Sequence, residues 1–250
     1  MRNSSHIRFG IKIWSGDTDL LEPAADLIRR GIFHYLELTP IPGTDIRPFL
    51  GRGIPYIIHA PTEQFGMNIA DPRQWKQNRA LIATALDWAG PLDAEFAILH
   101  PGYGHPYDAH EFLGTLSDPR ILIENMPGTG LSGEAMVGAS VEEVKYLMGG
   151  DFGFCLDLNH AIKAAVSQKV DYRALIREFI SLKPSVFHIA DGTLTNEKDE
   201  HLPIGEGEYD IAFLKCCIEG QGDALVTLET PRPYGSLQDD LGNRERFLLA

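Results

Sequence analysis

Six apolar runs of this 250-residue chain close on a side chain that can bind a metal ion: His59 in YIIHAP, His100 in FAILHPG, Glu124 in ILIENMPG, Asp157 in GFCLDLNHA, His188 in SVFHIADG and Glu229 in LVTLETP. Charged and imidazole groups rarely end a buried strand without partners that neutralise or coordinate them. If the runs are parallel strands of one barrel, the six side chains converge on one mouth, where unscreened carboxylates would repel one another strongly. Glu124, Asp157, His188 and Glu229 together suit a divalent ion such as Zn, Mn, Mg or Fe. His59 and His100 add imidazoles that shift the preference toward zinc or another transition metal.

A second layer lies just beyond the strand ends. His160 follows Asp157 by three residues where strand passes into helix, and Asp199 and His201 have the i, i+2 spacing that points two side chains the same way in extended chain. With these, the candidate ligands suffice for about three ions at three or four ligands each. The G-E-G of PIGEGEYD permits a tight turn, with Glu206 as ligand support, acid/base or plain helix start. Trp14 after the first run, and Arg232 and Tyr234 after the last, are candidate substrate contacts. His6, His34, His105 and His110 lack such a context and read as surface or locally bonded residues.

Eight β-rich runs, at residues ~7–13, 33–38, 54–59, 94–100, 120–125, 152–157, 185–190 and 224–229, alternate with amphipathic segments, as repeated β–α units require. The segments DLLEPAADLIRRG, PRQWKQNRALIATALDWAG, AHEFLGTL, SVEEVKYLMGG, DYRALIREFISL and DIAFLKCCIEG read as helices, several closed by glycine. A short helix is expected near Ile46–Gly51 and a last one over Gln238–Leu249. Metal-capable residues at the C-terminal ends of successive strands favour a closed α/β barrel, a single (β/α)8 TIM barrel over residues 1–250, above an open doubly wound sheet.

A hydrophobic fraction of 44% suits a full core, and a net charge of −13 opposes a broad basic nucleic-acid surface. No run approaches the ~20 apolar residues of a membrane span, and no secretory signal opens the chain, so a cytoplasmic protein is expected. Cys155, Cys216 and Cys217 offer no C-x-x-C pair and read as reduced core or helix residues. The oligomeric state is not fixed by these features.

From HAP at residue 59 through MNIADP, LHPG, IENMPGTG, GFCLDLNHA, FHIADG, KDEHLPIGEG and LETP, the chain resembles the endonuclease IV family within the xylose isomerase-like barrel superfamily. The resemblance implies a trinuclear zinc site. A first ion would take His59, His100 and Glu124; a second would share Glu124 and take Asp157, His188 and Glu229; a third would take His160, Asp199 and His201. A hydroxide shared between ions would then attack phosphorus in abasic DNA or a smaller sugar phosphate, with Glu124, Asp157 and Glu229 at the reaction.

Three features depart from the family's DNA-repair members. Thr62 stands where they have tyrosine, Glu200 where they have arginine, and the first strand reads FGIKIWSGD rather than G-x-H-V-S. An acid beside a phosphate is unfavourable in sign. The sibling sugar isomerases and epimerases share the Glu124, Asp157, His188 and Glu229 set and the D-x-x-H of Asp157 and His160. There one ion suffices and Glu124 and Glu229 exchange protons with carbon. Glu37 in YLEL and the IADG around Asp191 resemble that branch, with Glu37 a substrate contact. His59, His100, Asp199 and His201 are the residues a one-ion isomerase does not need.

Overall fold

The computed structural model describes residues 7–233 and 235–250; His6 and Tyr234 lie outside them. Eight parallel strands close a barrel in sequence order: β1 Ile7–Trp14, β2 Tyr35–Thr39, β3 Tyr56–His59, β4 Ala97–Leu99, β5 Ile121–Glu124, β6 Gly153–Asp157, β7 Val186–Ile189 and β8 Ala224–Leu228. Pairing of β1 with β8, Gly10 opposite Thr227 and Ile11 opposite Leu228, completes the ring.

The helices are α1 Thr18–Arg29, α2 Trp75–Ala89, α3 Pro106–Leu113, α4 Val141–Met148, α5 Leu158–Gln168, α6 Tyr172–Ile180, α7 Ile211–Glu219 and α8 Gln238–Leu249. A 3-10 turn at Arg47–Phe49 takes the place of a helix between β2 and β3, while two helices, α5 and α6, separate β6 from β7. The AHEFLGTL helix starts earlier than its apolar pattern suggests. His105 caps it by accepting from the Tyr107 N–H at 3.2 Å, and Pro106 supplies the first turn. Among the described residues no helix is long and apolar enough to cross a membrane.

Strand periodicity divides the apolar residues into two cores. Outward residues such as Ile58, Leu99, Ile123, Leu156, Phe187 and Val226 pack under the helices. Inward ones, Tyr35, Ile57, Ile98, Leu122, Cys155, Val186 and Leu225, fill the barrel floor. Gly10 makes that floor possible: a Cβ on it would sit inside the Tyr35 ring, which crosses the barrel to bond Thr227 Oγ1 at 2.9 Å.

Candidate metal centre

The same period of two that fills the floor builds the layer above it. Each floor residue is followed two positions later, on the same face, by a polar one: Tyr35 by Glu37, Ile57 by His59, Ile98 by His100, Leu122 by Glu124, Cys155 by Asp157 and Val186 by His188. Gly10 is followed by Lys12, and on β8 the series runs through Thr227 to Glu229. The floor is lined by apolar side chains and the layer above is ionic, so within the barrel charge is confined to the mouth end.

Two trios assemble there with their ligand atoms within 4.8 Å of one another: His59, His100 and Glu124, and His160, Asp199 and His201. Nε2 of His59 and of His100 each lie 3.2 Å from Glu124 Oε2. Nε2 of His160 and of His201 lie 3.6 and 3.1 Å from Asp199 Oδ2. The opposite ring nitrogens are committed elsewhere: His59 Nδ1 to the Ala60 carbonyl at 2.8 Å, His100 Nδ1 to Glu63 at 3.1 Å, His160 Nδ1 to the Asn125 carbonyl at 2.9 Å, and His201 Nδ1 to the Glu229 carbonyl at 2.5 Å. His188 is reversed, with Nε2 2.9 Å from Glu37 and Nδ1 3.0 Å from Glu229 and 3.2 Å from Glu124.

This pattern tests whether the residues suit a metal. When one ring nitrogen donates outward, the other presents a lone pair to a carboxylate, and two acceptors at this distance need a cation between them. A proton can supply it. Burial opposes charge on His100 and His201, but Glu63 and Glu124, and Asp199 with Glu229, outweigh that and raise them to about 10 and about 9. His59 differs: burial and the Lys12 ammonium lower it, so its Nε2 faces Glu124 as a bare lone pair. His100, His160, His188 and His201 can each meet their carboxylates with a proton, whereas His59 cannot, and a divalent ion beside Glu124 would fit there.

The D-x-x-H spacing is a helix start. Asp157 caps α5, its Oδ1 accepting the His160 N–H at 2.6 Å, which brings both side chains to the mouth. Asn125 continues the strand ladder with its side chain, donating to the Asp157 carbonyl at 2.9 Å and accepting the Asp157 N–H at 2.8 Å. The strings MNIADP and LHPG meet in a clasp. Asn68 accepts the Tyr103 N–H at 3.0 Å, and Gly102, at φ +85°, lies against Asn68 where a Cβ would overlap the amide. The clasp ties the loop after His59 to the loop after His100.

The four ligands expected to hold the second ion are grouped differently. Asp157 lies with Glu124 and His160, whereas His188 and Glu229 lie with Glu37 and His59. The helix cap holds Asp157 on one side, and Lys12, ion-paired with Glu229 and 3.3 Å from Glu37, draws Glu229 to the other. Burial disfavours the Lys12 charge, but Glu229, Glu37 and Glu124 overcome it and raise the ammonium above the ordinary lysine range. Burial likewise resists ionisation of Glu37, yet His188 and Lys12 hold it at about 2.

Glu37, expected to touch substrate, is instead fully buried beneath the ligands, because its strand position is in the ionic layer rather than on the rim. Glu200 also departs from expectation. It turns from the mouth onto the buried Lys163 and the Thr193 N–H and hydroxyl, so its charge is paired rather than facing a phosphate. Asn159 donates to Asp199 Oδ1 at 2.6 Å and to the Glu200 carbonyl at 3.1 Å, fixing the third-site loop. Glu206 is exposed, and Asp191 closes the 191–209 loop by accepting the N–H groups of Gly205 and Tyr209. His34 accepts the Phe9 N–H, and His110 stacks on Tyr146.

Above the ligands lies a cavity of about 690 Å³. Trp14, Tyr103, Met126 and Met136 give its wall a partly apolar surface, and Thr62 and Glu63 border it. Arg232 is on the wall as expected, but its guanidinium is clamped on Asp240 and the Lys12 carbonyl. Lys12 and Glu63 are contacts of the candidate ligands that the sequence does not single out. The signal for Lys12 is its place two residues after Gly10 on an inward-facing strand; Glu63, in a loop, offers none.

Residues 49–246 match the family model described as xylose isomerase-like TIM barrel. The chain belongs to the xylose isomerase-like TIM barrel family. This xylose isomerase-like barrel is 30% identical to the endonuclease 4 of Thermus thermophilus over 196 residues, 72% of this chain and 70% of the relative. Among solved structures it is similar to an endonuclease IV, also from Thermus thermophilus, with a TM-score of 0.72, 22% identity and coverage of 97% and 100% of the two chains. It is also similar to a D-tagatose 3-epimerase-like protein, with a TM-score of 0.75, 20% identity and 97% of each chain covered. At these identities the structural likenesses establish the fold alone.

Proposed function

We propose that this xylose isomerase-like barrel is a metal-dependent phosphoester hydrolase, most suited to a phosphorylated sugar small enough to enter its cavity, with abasic DNA the alternative substrate. The observation that carries the reading is the pair of trios, His59–His100–Glu124 and His160–Asp199–His201, in one mouth. A single-ion isomerase has no chemical use for both. The kinship with endonuclease 4 supports hydrolysis, and the net charge of −13 supports the smaller substrate.

Asp157, His188 and Glu229 complete the proposed ligand set between the trios. Zinc is the preferred ion, with Mn, Mg or Fe as substitutes, one for each trio and at most a third between them; bound there, divalent ions would polarise a phosphoryl oxygen and make water a nucleophile at neutral pH. The chain's own residues orient the histidines, exclude water below the mouth through the apolar floor, and border the substrate with Trp14, Tyr103 and Arg232.

A second reading, a sugar or sugar-phosphate isomerase or epimerase, is favoured by the closeness of Glu124 and Glu229 to one imidazole, His188. Assay of zinc-loaded protein on sugar phosphates and an abasic duplex, beside a solvent-deuterium exchange assay on a sugar panel, separates the two. Phosphate release or strand cleavage is expected; exchange into carbon without either would replace the hydrolase by the isomerase.

A further inference from the structure

Three carboxylates, those of Glu37, Glu124 and Glu229, surround the His188 imidazole. Glu37 adds a carboxylate below Glu124 and Glu229, and its Oε1 is buried with no aligned hydrogen bond among the described residues, the Lys12 ammonium lying 3.3 Å away. Ligand atoms of Glu37, His59, His188 and Glu229 lie within 4.8 Å of one another, a box that calls for positive charge. Lys12 is at its edge, ion-paired with Glu229 Oε1 and 3.3 Å from Glu37 Oε1. Arg232 donates to the Lys12 carbonyl at 2.5 Å while gripping Asp240 with two nitrogens, which anchors the Lys12 backbone beside the mouth.

We propose that Lys12 is a resident cation of the centre, taking the Glu229–Glu37 edge so that the mouth loads two divalent ions, one on each histidine trio, and a third only when Lys12 is removed. A fixed ammonium and a divalent ion cannot share one edge of Glu229 without strong repulsion a few ångströms apart. Glu229 belongs to neither trio, although His59 of the first also borders the box. Asp157 gives one oxygen to the α5 cap and groups with Glu124 and His160 rather than with Glu229. The proposal rests on the metal reading above but not on the reaction assigned to it.

The test is zinc stoichiometry by native mass spectrometry and elemental analysis after loading with excess Zn2+ and desalting. Wild type and Lys12→Arg are expected to retain two ions per chain, and Lys12→Met three. Should Lys12→Met fail to fold with Glu37 uncompensated, the double variant Lys12→Met/Glu37→Gln removes both charges and is expected to hold three. Three ions in wild type, fewer than two, or two in both wild type and the methionine variants would each overturn the proposal. If wild type holds three ions and cleaves phosphoesters, the hydrolase stands and the Lys12 assignment falls. If the switch from two to three ions occurs without phosphoester cleavage, the Lys12 assignment stands and the hydrolase falls.

Discussion

His188 Nε2 lies 2.9 Å from Glu37 Oε2, with both side chains fully buried, so the imidazole that faces Glu124 and Glu229 is oriented from below by a carboxylate. Thr227 Oγ1 donates to the same oxygen at 2.6 Å and is in turn within 2.9 Å of the Tyr35 hydroxyl. The chain of contacts runs from the barrel floor to the mouth. It makes Glu37 a positioning residue, since it touches no substrate-accessible surface.

Glu37→Gln keeps the shape but removes the charge that sets the His188 tautomer. In the Lys12→Met background, where His188 is free to take an ion, affinity for the third divalent ion is expected to fall about 10–100-fold, read by chelator competition, with the folded state retained by circular dichroism. Unchanged affinity would mean that Glu37 serves the fold alone.

Gly10→Ala sets a methyl into the Tyr35 ring. Overpacking of this kind costs about 1–3 kcal/mol, measured as a lower urea midpoint at unchanged slope. The companion Tyr35→Leu should relieve most of that loss; failure to do so would place the strain elsewhere.

Glu200 tests the loop that carries Asp199 and His201. Although burial favours its neutral form, Lys163, Thr193 and Asn196 hold its carboxyl at about 2. A depressed folded value contributes stability that is present above the ordinary glutamate range and lost as pH falls toward 2. Glu200→Gln should therefore lower stability at pH 7 and narrow its gap from wild type steadily below about pH 4.5. A gap that is constant with pH would show that the carboxylate charge is not what Lys163 needs.

Zinc removal should lower the melting temperature, because ions bind the folded mouth and not the unfolded chain. At a free concentration about 1,000 times the dissociation constant, the stabilisation is about 4.1 kcal/mol. His160→Ala removes one ligand of a trio and should lessen the zinc-induced shift without altering the metal-free midpoint by a similar amount. Equal shifts in both proteins would remove His160 from the ligand set.

Strand number, closure and the strand-end residues are legible because one periodicity specifies them: an inward residue every second position, apolar below and polar above. The same rule contains Lys12, yet a lysine near the start of a chain resembles any surface lysine until β1 is paired with β8 and β2. Glu37 reads as a rim residue because sequence gives the strand but not the height of a residue within the barrel. Glu200 misleads for a different reason. Its partner Lys163 is 37 residues away on α5, and no local pattern connects them. The helix over Pro106–Leu113 starts ahead of its expected place because a histidine cap and a proline are weaker signals than the apolar stripe that follows.

Asp157 gives one oxygen to the first turn of α5, a service to the backbone that has nothing to do with any ion. A descendant that abandoned its chemistry would still lose helix stability by discarding this aspartate, so selection for folding alone preserves it. The aspartate of D-x-x-H is therefore a weaker sign of activity than its histidine, whose backbone N–H any non-proline residue would supply. His201 and Asp199, on a loop with no comparable duty to a helix, are the positions whose loss would mark the difference.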